Sequence, residues 1–90
     1  MRIGLVRFNY SASGGAESYL IRFAEGLKRA GHEPVLFTSQ AWPDEAWSHG
    51  KIQRVKASSP LAFADGLQEL EPKKHCDLLF SLERVWECDI

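Results

Sequence analysis

The segment from Ile3 to Ala30 constrains the fold most, because it joins two kinds of apolar pattern through a loop of small residues. The run Ile3-Gly4-Leu5-Val6-Arg7-Phe8 is nearly continuous in apolar residues, which is typical of a parallel strand covered on both faces. The loop Asn9-Tyr10-Ser11-Ala12-Ser13-Gly14-Gly15-Ala16-Glu17 follows. A helical spacing comes next, at Leu20, Phe23, Ala24, Leu27 and Ala30. A strand that enters a helix this way leaves backbone N–H groups free beside the positive end of the helix dipole. The segment therefore predicts a strand, an anion-binding loop and a helix.

The boundaries of the first helix are indicated by its glycines and charges. We expect it to run from Gly15 or Ala16 to Ala30, with Gly14 as its N-cap and Gly31 as its stop. Gly26 lies inside this helix, where glycine is unfavourable, and we interpret it as the mark of a close contact with the sheet. A second strand from Pro34 to Thr38 completes a right-handed βαβ unit.

The rest of the chain continues the alternation of strands and helices. A polar loop carries Trp42 and Trp47, which we expect to fasten it to the domain, and a single helical turn is expected to start at Pro43. An edge strand is expected at 52–55. A second helix is expected to be capped by Ser59, with Pro60 in its first turn and Pro72 after its end. A third buried strand is expected around Leu78-Leu79-Phe80. The order β-α-β-β-α-β predicts an α/β fold, with a Rossmann-like, mainly parallel sheet flanked by helices, in a single domain over residues 1–90.

Composition excludes several classes of function. The chain has 90 residues, 44% of them hydrophobic, and a net charge of −1, which gives no overall attraction to nucleic acid. No apolar run approaches the ~20 residues that span a bilayer, and the first run is interrupted by Arg7, unlike a secretion signal. We therefore expect a cytoplasmic chain. Cys76 and Cys88 lack the spacing of a metal site, so Cys76 is expected to be a buried, reduced thiol and no metal is expected.

The loop lacks the patterns of the common phosphate-binding folds. It contains neither GxxxxGK[ST] nor GxGxxG, and the second strand ends in Thr38 and Ser39 where a dinucleotide binder has an acidic residue. A phospho-acceptor domain would have acidic residues after the first strand, where this chain has Asn9. No Ser/His/Asp or Cys/His set can be assembled. These absences argue against NAD, FAD, nucleoside triphosphate and nucleophilic catalysis.

A longer string of residues resembles a known enzyme family. The string consists of Gly14-Gly15-Ala16-Glu17, Ala24, Leu27, Ala30-Gly31-His32-Glu33, Val35 and Thr38. It resembles the N-terminal signature of retaining glycosyltransferases of the GT-B fold, family 4 type, and the resemblance covers residues 1–39. More loosely, residues 38–42 and 81–89 are similar to the lipopolysaccharide-core glucosyltransferase branch of that family.

The resemblance implies an enzyme with two Rossmann-like halves and an active site between them. In that family the C-terminal half holds most of the nucleotide-sugar, whereas the N-terminal half binds a saccharide or lipid-linked acceptor. By this resemblance, Ser13, Gly14 and Gly15 bind the donor phosphates or sugar, with the nucleotide-sugar as substrate and no cofactor or metal. The resemblance also implies that the parent enzyme sits in the cytoplasm or peripherally at the inner face of the membrane. Because the donor-binding half is missing from these 90 residues, we expect the chain alone to be inactive.

Each candidate residue has a plainer alternative. The two glycines would also suit a turn without a ligand. Glu17 is a candidate acceptor or secondary contact, and it would also suit a helix start. Asn9 at the strand tip is a candidate contact to an acceptor hydroxyl or to the backbone of its own loop. Glu83 and Arg84 follow the last strand at the same edge of the sheet, as candidate acceptor contacts or as an exposed ion pair.

Two other functions remain open at this stage. One is a small non-catalytic nucleotide- or phosphate-binding module of the flavodoxin type. The other is an interaction domain, for which an exposed apolar patch of Val85, Trp86 and Ile90 would be the telling feature. For a truncated chain we expect residues 83–90 to be poorly packed or to pair with a neighbouring molecule.

Overall fold

The computed structural model describes residues 1–10 and 15–81 of the chain. The strands in this part are β1 (Arg2–Val6), β2 (Glu33–Thr38), β3 (Lys51–Arg54) and β4 (Leu78–Ser81). The helices are α1 (Gly15–Arg29) and α2 (Pro60–Leu70), with short 3₁₀ turns at Asp44–Ala46 and Pro72–Lys74. The predicted order of elements is confirmed, although β1 ends at Val6 and not at Phe8.

The strands form one parallel sheet in the order β3-β2-β1-β4. The connection through α1 moves the chain from β1 to β2, and the connection through α2 carries it back across β1 to β4. The strand order therefore reverses at β1, which is the arrangement of a doubly wound α/β fold. The α/β, Rossmann-like prediction is confirmed.

Each helix covers a different face of this sheet. On the face of α2 the buried cluster comprises Val6, Phe8, Val35, Phe37, Ala57, Phe63, Leu67 and Cys76. On the face of α1 it comprises Ile3, Leu5, Leu20, Ala24, Leu36, Trp42 and Trp47. Ile3 and Leu5 of β1 belong to the α1-side cluster and Val6 to the α2-side cluster, because strand side chains point to opposite faces in turn.

The C-terminus of α1 ends in the predicted glycine stop. Gly31 has a φ of +89°, in the region that favours glycine. Its N–H donates to the carbonyl of Lys28 (3.0 Å), and the N–H of His32 donates to the carbonyl of Leu27 (2.9 Å). This pair of bonds is a Schellman motif, and it satisfies carbonyl groups that the helix leaves unpaired.

Both ends of α2 match the sequence prediction. The Ser59 hydroxyl accepts a hydrogen bond from the N–H of Ala62 (3.1 Å), and Pro60 occupies the first helical position. Glu71 ends the helix in the left-handed region with a φ of 55°, immediately before Pro72. The helix packs through an apolar face with helical spacing, whose Phe63 and Leu67 are buried against the sheet.

The loop between β2 and β3 is fastened by its tryptophans, as expected. Trp42 and Trp47 are both buried on the face of α1, and the Nε1–H of Trp47 donates to the carbonyl of Gly50 (3.0 Å). The predicted turn after Pro43 is present at Asp44–Ala46. These aromatic side chains fill the part of this face that α1 does not reach.

The expectation of a third buried strand is wrong. Leu78 and Phe80 of β4 keep 49% and 46% of their surface exposed, and only Leu79 packs against the α2-side cluster. The physical reason is position in the sheet. Among the described residues β4 pairs with β1 alone, so it lies at an edge, and its α1-facing side chains are only partly covered, since Phe80 contacts Phe23 of the helix and still keeps nearly half of its surface exposed. An apolar run predicts a strand but does not predict its place in the strand order.

The interpretation of Gly26 is also wrong, because a Cβ added at Gly26 would meet nothing within 4 Å. The close contact is instead made by Gly4 in β1. A Cβ there would lie 2.7 Å from both Cys76 Sγ and Phe37 Cε2.

The Cys76 thiol is free and buried, as predicted, and it donates a hydrogen bond to the carbonyl of Pro72 (3.3 Å). Burial raises the pKa of this thiol above its ordinary value, so the neutral form is favoured. Cys88 lies outside the described residues. No helix in residues 1–10 and 15–81 has the length and apolar character needed to cross a membrane.

Candidate functional site

The candidate site lies at the carboxyl end of β1, where the strand order reverses. In open parallel sheets the ligand-binding crevice forms at such a point, outside the carboxyl ends of the strands. Here β1 ends at Val6, and the N-terminus of α1 begins at Gly15. The 15-residue helix is long enough for its N-terminus to carry about half a positive charge. The topology therefore puts the end of β1 and the start of α1 at the reversal of strand order, where we place the candidate site.

The structure describes only part of the predicted phosphate-binding loop. Ser13 and Gly14 lie outside the described residues, as do Glu83 and Arg84 and the apolar residues of segment 83–90. Gly15 is the first residue of α1 and is exposed, and a Cβ added there would meet no atom of the described residues within 4 Å.

Arg7 and Glu17 form an ion pair beside the start of α1. Arg7 Nε donates to Glu17 Oε1 over 3.2 Å, with the Glu17 side chain buried and the arginine partly exposed. The backbone N–H of Arg7 donates to the carbonyl of Phe37 (3.0 Å), which holds the arginine in line with the sheet. Glu17 lies in the first helical turn, as the sequence predicted. Its carboxylate is already paired with Arg7, so a contact with an acceptor would compete with this ion pair.

The base of the loop is tied to the end of β2. The Ser39 hydroxyl donates to the carbonyl of Phe8 (2.8 Å), and the ring of Tyr10 meets the ring of Trp42 edge-on at a centroid distance of 4.9 Å. Asn9 lies between these two attachments and is exposed. Its side chain is thus presented at the strand tip, where the sequence predicted a polar contact.

The segments after β2 and β3 are joined to each other by side chain to backbone hydrogen bonds. Arg54 Nη1 donates to the carbonyls of Ser39 (3.0 Å) and Trp42 (2.6 Å), and Nη2 bonds to Asp44 Oδ1. The Gln40 amide makes both of its bonds to Ala57: Nε2 donates to the carbonyl (2.9 Å) and Oε1 accepts from the N–H (3.1 Å). A shallow surface pocket of about 360 Å³ lies against this network.

Thr38 Oγ1 and Trp42 Nε1 are buried polar atoms near the same edge, and neither has a hydrogen-bond partner among residues 1–10 and 15–81. Thr38 and Ser39 are both buried, so neither presents its hydroxyl to a ribose at the surface. No group of three His, Cys, Asp or Glu residues within the described ranges is arranged to hold a metal ion.

The sequence patterns did not identify the two arginines that organise this edge. Arg7 interrupts an apolar run, and Arg54 falls in the expected edge strand at 52–55. A charged residue at the end of a strand that is otherwise apolar is the signal that would have identified Arg7, because burial there requires a partner. Arg54 has no comparable signal, since its partners are carbonyl groups of a loop whose path the sequence does not specify.

Comparison with known proteins adds no identification, because no protein-family model matches the chain and no curated protein is significantly similar to it.

Proposed function

We propose that the chain binds the diphosphate of a nucleotide-sugar at the carboxyl end of β1, as the acceptor-side half of a glycosyltransferase. The observation that carries this proposal is the direct passage of β1 into α1 at the reversal of strand order. A helix N-terminus at that position directs free backbone N–H groups at an anion. Residues 1–39 resemble GT-B glycosyltransferases, and for this reason we propose that the anion is the diphosphate of a nucleotide-sugar.

The local charge supports weak binding of an anion. Arg7 and Glu17 pair at 3.2 Å, so the buried carboxylate at the start of α1 has a cation beside it, and the helix N-terminus adds about half a positive charge. Such a site attracts a diphosphate without holding it tightly. In the proposed enzyme a second domain binds the nucleotide, and the backbone amides at the start of α1 stabilise the charge that develops on the leaving diphosphate.

The exposed side chain of Asn9 supports a position for the acceptor. It lies at the tip of β1, on the same edge as the start of α1. A saccharide or lipid-linked acceptor bound there would have its hydroxyl groups within reach of an amide that both donates and accepts hydrogen bonds. The sugar itself and the acceptor are not specified by these residues.

Titration of the 90-residue chain tests the proposal directly. Uridine and guanosine sugar nucleotides, and pyrophosphate as a comparator, are added while backbone amide shifts are followed by NMR. We expect shifts at Gly14, Gly15 and Ala16, with dissociation constants on the order of millimolar because half of the site is supplied by another domain.

Gly15 offers a matched pair of variants. Gly15→Pro removes the N–H but suits the first position of a helix, whereas Gly15→Ala keeps the N–H and adds a Cβ in open space. We expect Gly15→Pro to weaken binding of pyrophosphate and sugar nucleotide alike, and Gly15→Ala to bind as the original chain does.

Equal binding by both variants, or no shifts at these amides, would contradict the proposal. Micromolar binding of a free nucleotide that depends on its base would instead favour a flavodoxin-like nucleotide-binding module. If the chain bound no anion but formed a stable complex with a separate protein, an interaction domain would be favoured.

A further inference from the structure

At the outer edge of β4, backbone groups that pair with no described strand lie beside exposed apolar side chains. The N–H of Asp77 donates to the carbonyl of Arg2 (2.8 Å), which directs the backbone groups of Asp77 toward β1. Because these groups alternate along a strand, those of Leu79 also point toward β1, whereas those of Leu78 and Phe80 point away from it. Within the described ranges, no strand pairs with this outer edge.

The exposed side chains of β4 continue into an aromatic surface on α1. Leu78 and Phe80 lie on the α1 side of the sheet, opposite Ile3 and Leu5 in the ladder. The ring of Phe80 packs edge-on against Phe23 at 5.6 Å, and Phe23 stacks on Tyr19 at 6.2 Å, with Tyr19 59% exposed. We call Leu78, Phe80 and Tyr19 the β4 patch.

The other edge of the sheet differs in charge. β3 carries Lys51 and Arg54 among its four residues, and charged side chains are a common protection of an edge strand against pairing with another chain. The sequence of β4 is Leu-Leu-Phe-Ser and carries no charge. The two edges are therefore unequal as templates for a further strand.

We propose that β4 pairs with β4 of a second copy of this chain, antiparallel and about a twofold axis through Leu79. In this register Leu78 lies opposite Phe80 of the second copy, and Leu79 lies opposite Leu79. The outward N–H and C=O groups of Leu78 and Phe80 then bond to those of the partner strand, which is the hydrogen-bonded type of antiparallel pair. The same register sets the exposed Leu78 against the exposed Phe80 of the other copy on the α1 side.

Charge is the observation that favours a second copy as the occupant. The nearest charged residue, Asp77, lies at one end of each strand, so the twofold axis separates the two carboxylates by about 13 Å along the pair. That distance exceeds the Debye length of about 8 Å at physiological salt, so their repulsion is largely screened. Between the two β4 strands, Leu78–Ser81, the pair is self-complementary in hydrogen bonds and in apolar contacts, and these strands carry no charged side chain.

Sedimentation equilibrium of the 90-residue chain tests the pairing. We expect a monomer–dimer equilibrium, and we expect Phe80→Lys to raise the dimer dissociation constant at least about tenfold, because two lysines enter the interface. Leu61→Lys is the matched control. Leu61 is 70% exposed on α2, away from β4, so its substitution should leave the constant unchanged.

Amide hydrogen exchange provides a second readout that does not depend on a variant. The amides of Leu78 and Phe80 should become protected as the concentration rises through the dimer dissociation constant. A chain that stays monomeric at millimolar concentration would overturn the proposal. Protection of both amides in dilute monomer would also overturn it, because residues 82–90 or another segment would then cover the edge. If Phe80→Lys and Leu61→Lys raised the dimer dissociation constant equally, association would not depend on β4, and the proposal would be overturned.

Discussion

The face of the sheet under α2 and the face under α1 differ in how their cores are completed. Under α2 a capped helix packs Phe63 and Leu67 directly onto the sheet. Under α1 the helix covers part of the face, a loop carrying Trp42 and Trp47 covers another part, and the β4 patch stays exposed. A regular helix covers the first face, whereas part of the second face is covered by the irregular loop between β2 and β3.

The difference extends to single atoms. On the α2 side, Gly4 and Gly66 have no room for a Cβ, since Cys76, Phe37 and Val55 occupy the space. On the α1 side, Trp42 Nε1 is buried without a partner, and Gly26 of the helix has open space around it. Substitutions should therefore be costly where the packing is tight and tolerated or favourable where it is not.

The largest effect is expected at Gly4. Gly4→Ala places a Cβ 2.7 Å from Cys76 Sγ and Phe37 Cε2, which forces the core under α2 apart and should lower the free energy of unfolding by about 3 kcal/mol. Urea denaturation followed by circular dichroism measures this change. Gly15→Ala, which enters open space, is the control and should have little effect. An unchanged midpoint for Gly4→Ala would mean that this face is as adaptable as the other.

A smaller effect is expected where α2 crosses Val55. In Gly66→Ala the new Cβ overlaps Val55 Cγ1, with an expected cost of about 2 kcal/mol. Val55→Ala removes the overlapping methyl group, so the double variant should be more stable than the sum of the two single changes predicts. Simple additivity in this double-mutant cycle would contradict the close contact.

Thr38 tests the α1 side, where its fully buried hydroxyl lacks a partner. Thr38→Val keeps the shape and removes the hydroxyl, so we expect stabilisation of about 1 kcal/mol. Thr38→Ser keeps the hydroxyl, removes a methyl group and should destabilise the chain. Thermal unfolding of the two variants separates the contributions, and destabilisation by both would indicate that the hydroxyl has a partner after all.

The smallest effect is expected at Gly26. Gly26→Ala adds a methyl group in open space inside α1, so helix propensity alone should stabilise the chain by about 0.5 kcal/mol. Amide exchange in α1 measures this locally. A loss of stability would indicate that α1 packs more closely on the sheet than these contacts imply.

Much of the fold follows from local chemistry and was predicted from the sequence. Ser59 and Pro60 specify where α2 begins, and Gly31 specifies where α1 ends, because these residues act on the backbone beside them. The exposure of β4 did not follow, because it depends on which strand lies beside it. Gly4 and Gly26 also could not be told apart from the sequence. Packing requires a glycine at Gly4 but not at Gly26, and a single sequence does not show this difference.

The order of elements around the candidate site was predicted, whereas the contacts of its described residues were not. The spacing of strand, small residues and helix is enough to predict that β1 is followed by α1, because this pattern is local. The ion pair between Arg7 and Glu17 joins residues on different elements, and the bonds of Arg54 reach a loop without regular structure. Both depend on tertiary placement that periodicity does not encode.

The double hydrogen bond between Gln40 and Ala57, together with the bonds of Arg54, makes the segments after β2 and β3 a single structural unit. A loop-grafting experiment that replaced residues 39–44 alone would leave Arg54 and Ala57 facing foreign backbone, and their former partners would be lost. Any transplant of this edge into another parallel sheet therefore has to carry both segments together. The unit of exchange for an engineer is the pair of loops and not either one.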